Sequence, residues 1–308
     1  MNNSISTDDY KPSELTRKLQ QIELEMTEVL LSFCNKNDLK IWACFGTLLG
    51  AARHKGFIPW DDDIDFVMMR SDYDRLVMLC RQDHVKNMLP KCYEFDTDDI
   101  SVIKLRRSDT TAIHPWKRWS NKLNHGIWID IFCLDDAPDD IRQEYGVWKK
   151  INSDVRLYRN RKYSYYAMVD SFSFRIRHAM VRLFFLFHSL EGLRKKIEDN
   201  LRTLVINYSG DKIWPFMVWS LTKDVDKVPC YEKSWFDKTV MLPFENIEIP
   251  CPAGWDELLK TQYGDWHTPV MGTSLHEGCE FNLERPYVDV LKEHLAKMPF
   301  WKRYIYRH

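Results

Sequence analysis

Apolar residues recur at helical spacing from Leu15, through Leu19, Ile22, Met26, Val29, Leu30 and Phe33. This predicts one long amphipathic helix, ended by the polar run Asn35 to Asp38. The rhythm then changes. Ile41 to Phe45 is a short apolar run broken by Gly46, as expected of a buried strand, and a short helix from Thr47 to about His54 follows. Gly56 and Pro59 mark a loop, and Asp63 to Met69 reads as a second strand. Ser71, with Asp74 three positions on, forms an acidic capping box that should open a helix through about Gln82. Val102 to Arg106 and Gly126 to Phe132 read as further strands. The cluster Asp135, Asp136, Pro138, Asp139 and Asp140 reads as an acidic turn closing this half.

The pattern changes again in the middle of the chain. Between Arg156 and Lys196 there are ten Lys or Arg residues against two acids, Asp170 and Glu191. Phe172, Phe174, Met180, Leu183, Phe184, Phe185 and Phe187 lie in the same stretch. One or two basic amphipathic helices are expected, either core helices with a basic outer face or helices lying on a membrane surface through 172–190. Further on, Glu248 to Pro250 suggests a late strand, and a helix from Trp255 to Tyr263 should stop at Gly264. The expected organisation is a tail over 1–12, a core over 13–140, a helical insertion over 141–232, and a C-terminal part over 233–308 completing the core. The fold class is α/β.

Composition narrows the picture only a little. The 308 residues carry a formal net charge of −1, which gives no basic field for nucleic acid. Eight cysteines with no CxxC pair argue against zinc ribbons and redox dithiols, and favour free thiols in a reducing compartment. The N-terminus has neither the basic start nor the apolar stretch of a signal peptide, and the apolar run Leu183 to Leu186 is far too short to span a bilayer. A cytoplasmic protein is expected, working where required at the inner face of the membrane.

The informative chemistry is acidic. Side chains two apart on a strand share a face, so Asp61, Asp63 and Asp65 line up if the second strand runs back far enough. Asp62 then points the other way. Carboxylates crowded on one face repel each other, and a hard cation such as Mg²⁺, or Mn²⁺, removes that cost with oxygen ligands. An EF-hand is excluded, because Phe66 and Asp72 stand where that loop needs Gly and Glu. In GIWIDIF, Asp130 is one acid among apolar neighbours on a strand. Either a buried cation such as Arg106 pairs with it, or it faces the same metal.

Upstream, Gly46 and Thr47 sit at a strand-to-helix turn where backbone N–H groups attract phosphate. Gly50 allows close approach of a phosphate or of a second chain segment, and Arg53, His54 and Lys55 add positive charge. Such a turn, followed fourteen residues later by alternating aspartates, is an arrangement suited to nucleotidyl transfer. Lys104 and Arg106 share a strand face, where they could hold a diphosphate or simply line a solvated edge. Trp116, Trp119, Trp128 and Tyr165 are available to cage a cationic headgroup, although packing is the default role of aromatics. His114, His125, His267 and His276 are spaced too irregularly for a metal site.

The segment GTLLGAARHKGFIPWDDDID, with KLRRSDT and GIWIDIF after it, resembles the LicD family. That family includes bacterial phosphocholine transferases and, more distantly, fukutin and fukutin-related protein. The likeness reappears at FENIEIPCPAGWDELLKTQYGDW and covers about half the chain; it does not extend to 141–232. It implies a nucleotidyltransferase-like mixed sheet with flanking helices. It also implies transfer of a phospho-substituent, phosphocholine foremost, from a CDP-linked donor to a sugar hydroxyl of a cell-surface glycan or lipid-linked glycan, with release of CMP. On this resemblance Asp61, Asp63, Asp65 and Asp130 are metal ligands. The acid at Asp62 departs from relatives with a non-acidic residue there. Pyrophosphate-releasing nucleotidyl transfer and non-catalytic nucleotide or glycan binding are the alternatives.

Overall fold

The structure is a computed structural model that describes residues 10–82, 85, 87–100, 102–115, 123–138, 141–163, 172–206, 210–215, 229–271 and 278–298. The first helix, α1, spans Glu14–Lys36 and is capped by Ser13, whose hydroxyl accepts from the Thr16 N–H at 3.0 Å. Its buried stripe keeps Leu19, Met26, Leu30 and Phe33 of the predicted positions; Leu15 is exposed, Ile22 and Val29 are half-buried, and Leu24, Cys34 and the polar Glu23 and Thr27 are buried as well.

Strand β1 (Trp42–Ala43) leads into α2 (Phe45–His54). This helix starts two residues earlier than expected, and Phe45 at its first position takes a positive φ of 47°. Strand β2 (Asp65–Met69) runs directly into α3 (Arg70–Cys80). The anticipated capping box does not form. Met69 is the N-cap, Ser71 and Asp74 already lie inside the helix, and Asp74 binds Arg70 at 3.2 Å instead.

Strands β3 (Tyr93–Asp96), β4 (Val102–Arg107) and β6 (Ile127–Asp136) complete a mixed sheet in the order β1-β2-β6-β4-β3. Only the β2–β6 pairing is parallel; β1–β2, β4–β6 and β3–β4 are antiparallel. One face presents Phe66, Met68, Ile103, Leu105, Ile129 and Ile131 to the apolar stripes of α1 and α3, and this is the main core. The other face carries the polar groups described below. Strand β6 runs further than its sequence suggested. Asp135 and Asp136 pair with β7 (Lys212–Trp214) rather than forming a turn, and β7 pairs with β8 (Tyr231–Glu232). The buried Asp135 carboxylate is matched by Arg70 at 2.7 and 2.8 Å, which makes burial of both charges tolerable. Asp139 and Asp140 lie outside the described residues.

Between β6 and β7 come α4 (Ile141–Tyr163), α5 (Phe172–Phe184) and α6 (Leu190–Ile206). Ile151, Val155, Tyr158, Leu193, Ile197 and Leu201 form a second, smaller apolar cluster with Ala137 and Trp214. The outer side of α5 exposes Ile176, Met180 and Leu183 together with Arg177. No helix among the described residues is long and apolar enough to cross a membrane.

The hairpin β9 (Thr239–Phe244) and β10 (Ile247–Pro252) packs beside β1 and α2, and α7 (Trp255–Tyr263) ends at Gly264 with a φ of 68°. Glu245, at the hairpin tip, accepts from the Phe57 N–H at 3.0 Å and so holds the loop that leads to the aspartates. Strands β5 (Thr111–Ile113) and β11 (Glu280–Asn282) pair separately, and α8 (Tyr287–Lys297) follows. All eight cysteines are free thiols.

Candidate active site

The register of three strands builds the centre. Asp65 on β2 is the parallel partner of Asp130 on β6, and Asp130 is the antiparallel partner of Lys104 on β4. Residues paired across strands share a face, so two carboxylates and one ammonium stand side by side. Lys104 forms an ion pair with Asp130, and the Trp128 indole N–H donates to the other Asp130 oxygen at 3.1 Å. The cation that pairs with Asp130 is therefore Lys104 and not Arg106, and the same register sets Asp130 against Asp65.

Asp61 and Asp63 reach this group by a different route from the one the alternation suggested. The strand does not run back to them. Residues 61–64 are irregular, and β2 begins at Asp65. The segment is pinned by local bonds instead: the Asp61 N–H donates to Ile58 O at 2.9 Å, and the Gln20 amide donates to Asp61 O at 2.9 Å. The consequence is crowding. Burial, together with the neighbouring Asp63 that shares a hydrogen bond with it, pushes the Asp61 carboxyl up to about 8. Burial, then Asp63, Asp130 and Asp61, also raises Asp65 well above the usual carboxylate range, with Lys104 opposing.

A further acid belongs to this group. Glu23 of α1 is fully buried; burial and the charges of Asp63, Asp62, Asp61 and Asp65 hold its carboxyl well above its ordinary value. One of its oxygens, Oε2, is buried with no hydrogen-bond partner. Glu23 was legible in the sequence as an acid inside an apolar helical stripe, four residues after Leu19 and three before Met26. Trp128 was noticed only as an aromatic. Its role comes from the sheet, where its ring carries Lys104 at 4.8 Å and Arg106 at 5.1 Å from its centroid. That ring face is taken by the protein's own cations, so Trp128 is not available to cage choline. Trp116, Trp119, Tyr165 and His276 lie outside the described residues.

The N-terminus of α2 faces the same loop. A side chain at Gly46 would collide with Asp61 Oδ2, so only glycine lets the acidic segment approach the helix start. Thr47 is buried, and its hydroxyl accepts from the Asp65 N–H at 2.8 Å, which ties the first turn of α2 to the first residue of β2. At Gly50 the close neighbour is chain, namely the Gly56 carbonyl and the Ile58 N–H. Arg53 donates to the Trp266 carbonyl at 2.9 Å and so joins α2 to the segment after α7.

Lys104 and Arg106 do share a face, but β4 is an interior strand and both are buried, which rules out a solvated edge. Arg106 donates to Asp96 at 3.1 Å and to Gly126 O at 3.1 Å.

As the side chains stand, no group of three or more His, Cys, Asp or Glu among the described residues is arranged to hold a metal ion. The donor set nonetheless fits a hard cation in type and charge. Asp61, Asp63, Asp65 and Asp130 offer oxygen only, the raised Asp61 and Asp65 carboxyls signal unmatched negative charge, and Glu23 Oε2 is an orphaned buried oxygen beside them.

Residues 38–136 match the family model described as LicD/FKTN/FKRP, nucleotidyltransferase domain. The chain is 25% identical over 254 residues to the lipopolysaccharide cholinephosphotransferase LicD of Haemophilus influenzae, a match covering 81% of this chain and 90% of that protein. It is 43% identical over 92 residues to an uncharacterized protein of Rickettsia prowazekii, covering 29% of this chain and 30% of that one.

Proposed function

From the match of residues 38–136 to the LicD family model, we propose that the chain transfers a phospho-substituent from a CDP-linked donor to a sugar hydroxyl of a cell-surface or lipid-linked glycan. The Haemophilus relative is named for cholinephosphate transfer to lipopolysaccharide, which makes phosphocholine the leading substituent. The observation that carries the reading is the pairing of Asp65 with Asp130 across β2 and β6, with Asp61 and Asp63 crowded against them. A protein of this size has little reason to bury that much like charge unless a cationic partner arrives with the substrate.

Asp61, Asp63, Asp65 and Asp130 would hold a divalent ion, Mg²⁺ or Mn²⁺. When bound, it supplies neutralisation of charge on the diphosphate and on the transferring phosphoryl group. In the reaction the acceptor oxygen forms a bond to the phosphorus that carries the substituent, the bond from that phosphorus to the bridging oxygen breaks, and CMP leaves with that oxygen. The acceptor proton passes to a carboxylate. Asp130 has both oxygens engaged, by Lys104 and by Trp128, so the acids of the 61–65 segment are better placed to receive it. Lys104 and Arg106, packed on Trp128, give the adjoining face a fixed positive character suited to diphosphate oxygens. The N-terminus of α2 adds its N–H dipoles beside Asp61. We extend the nucleotidyltransferase-like fold to the sheet arrangement on the same grounds.

Incubation of the purified protein with CDP-choline, CDP-ribitol, CDP-glycerol or CTP, each with Mg²⁺ and a glycan acceptor, tests the proposal. CMP should form from one of the CDP-alcohols. Pyrophosphate release from CTP would replace the reading with nucleotidyl transfer. Full turnover in excess chelator would remove the metal from it.

A further inference from the structure

The helical region carries an apolar surface that the reaction does not use. On α5, Ile176, Met180 and Leu183 recur at the spacing of one helical face, and all three are exposed, Met180 at 64% and Leu183 at 60%. The side that faces inward is marked by the buried Val181. Beyond the helix the stripe continues into a turn where Leu186 is 73% and Phe187 82% exposed. That turn is ordered by its own bonds: Phe185 N–H to Val181 O at 3.1 Å, Leu186 N–H to Leu183 O at 3.2 Å and Phe187 N–H to Phe184 O at 3.2 Å. His188 stacks on Phe184 at 4.0 Å between ring centroids, and Arg161 lies over the Phe185 ring. Leu186 and Phe187 are therefore held outward at the tip of a structured corner.

Water makes such exposure costly, and contiguous exposed apolar side chains mark a surface that something covers. Charge and shape identify the occupant. From 171 to 190 the sequence has no Asp or Glu, while Arg175, Arg177 and Arg182 punctuate it; on α6 the exposed Glu191 and Lys195 follow, and Lys196 is paired with Asp154 at 2.8 Å. Met180, Leu183, Leu186 and Phe187 are 60–82% exposed, so these side chains protrude. Protruding Leu and Phe in a stretch that carries Arg and no acid suit the interface of an anionic bilayer, where the apolar tips enter the acyl boundary and the cations meet headgroup phosphates.

We propose that residues 176–187 are a peripheral docking ridge for anionic phospholipid membranes. The chain lies on the bilayer through this corner and does not cross it. This goes beyond the transfer reaction, and it makes a lipid-linked acceptor sterically accessible to a protein with no spanning helix among its described residues.

Flotation of the full chain with vesicles tests it. The protein should float with phosphatidylcholine vesicles containing about 30% phosphatidylglycerol, and weakly with phosphatidylcholine alone. The double variant Leu186→Ser, Phe187→Ser should lose about tenfold or more of its partitioning, with unchanged circular dichroism and unchanged transfer to a water-soluble acceptor. The last readout separates this proposal from the catalytic one, since flotation can fail in an active enzyme and succeed in an inactive one. Wild-type protein left in the soluble fraction overturns the ridge, as does a double variant that floats like wild type. Concentration-dependent self-association abolished by the double variant, without vesicle binding, would assign the surface to a second copy of this chain instead.

Discussion

The strands around Asp65 and the helices after β6 expose opposite kinds of expense. In the sheet, negative charge is concentrated where burial makes it costly: Asp61, Asp65 and Glu23 all hold their protons far above the usual carboxylate range. In α5 and the following turn, apolar surface is concentrated where water makes it costly, at Met180, Leu183, Leu186 and Phe187. Other charges in both regions are matched: Asp135 meets Arg70 at the end of β6, and Asp99 meets Arg159 of α4. The two concentrations of cost are where the proposals above place a partner, a cation in the sheet and a membrane surface for the helices.

The strongest way to break this contrast is Asp65→Asn. On the proposed reading it removes a metal-holding carboxylate, so turnover should fall by about a thousandfold or more while the melting temperature holds or rises. Activity near wild type, measured as CMP release, would sink the catalytic half of the comparison. Lys104→Met should do the reverse for stability. It strands Asp130 in a half-buried position without its cation, at a cost of about 3 kcal/mol by denaturant unfolding. If Lys104→Met unfolds at the wild-type denaturant concentration, the Lys104–Asp130 pair is not what balances the sheet.

Glu23→Gln offers a finer cut. Burial and the neighbouring acids already push this carboxyl toward its protonated form, so the amide should leave metal-free stability almost unchanged while lowering the apparent Mg²⁺ affinity about tenfold. Equal Mg²⁺-induced thermal shifts in both proteins would confine Glu23 to packing. A pH series sharpens the same point. Asp61 moves from an ordinary value of 3.8 up to about 8 on folding, so between those values the folded state binds more protons than the unfolded one. Stability without metal should therefore decline as pH rises from about 4 to about 8, and the gain from Mg²⁺ should grow over the same interval. Metal-free stability that rises steadily through this window would contradict the crowding. The smallest effect belongs to the ridge. Phe187→Ser, at a side chain 82% exposed, should alter unfolding free energy by less than about 0.5 kcal/mol, and a larger loss would place Phe187 in a core.

Much of the arrangement could be read in advance. Helix α1, the strand through Phe66 and the strand around Asp130 follow from apolar periodicity, because burial on one face imposes a repeat on the sequence. Element ends were less visible. The Ser71 box looked like a start signal, yet α3 begins at Arg70 because the chain leaves β2 without a loop. Asp135 and Asp136 looked like a turn, since the β7 strand and the Arg70 fork that make them tolerable are distant in sequence. Glu23 could have been noticed as an acid in an apolar stripe, but nothing local connects it to residues 61–65.

Sequence alone determined which side chains are present and which faces of their elements they occupy, since those follow from periods of 3.6 and 2 along a single segment. It therefore specified the acids, the apolar sheet interior and the acid-free, Phe-rich helix. Only tertiary structure decided who stands beside whom. The register of Asp65 against Asp130 and of Asp130 against Lys104 is set by hydrogen bonding between strands 26 to 65 residues apart in the chain. The outward turn of Met180 and Phe187 likewise depends on which side of α5 packs inward, where Val181 is buried and the helix meets α4. Local pattern fixes a face; long-range packing fixes what that face meets.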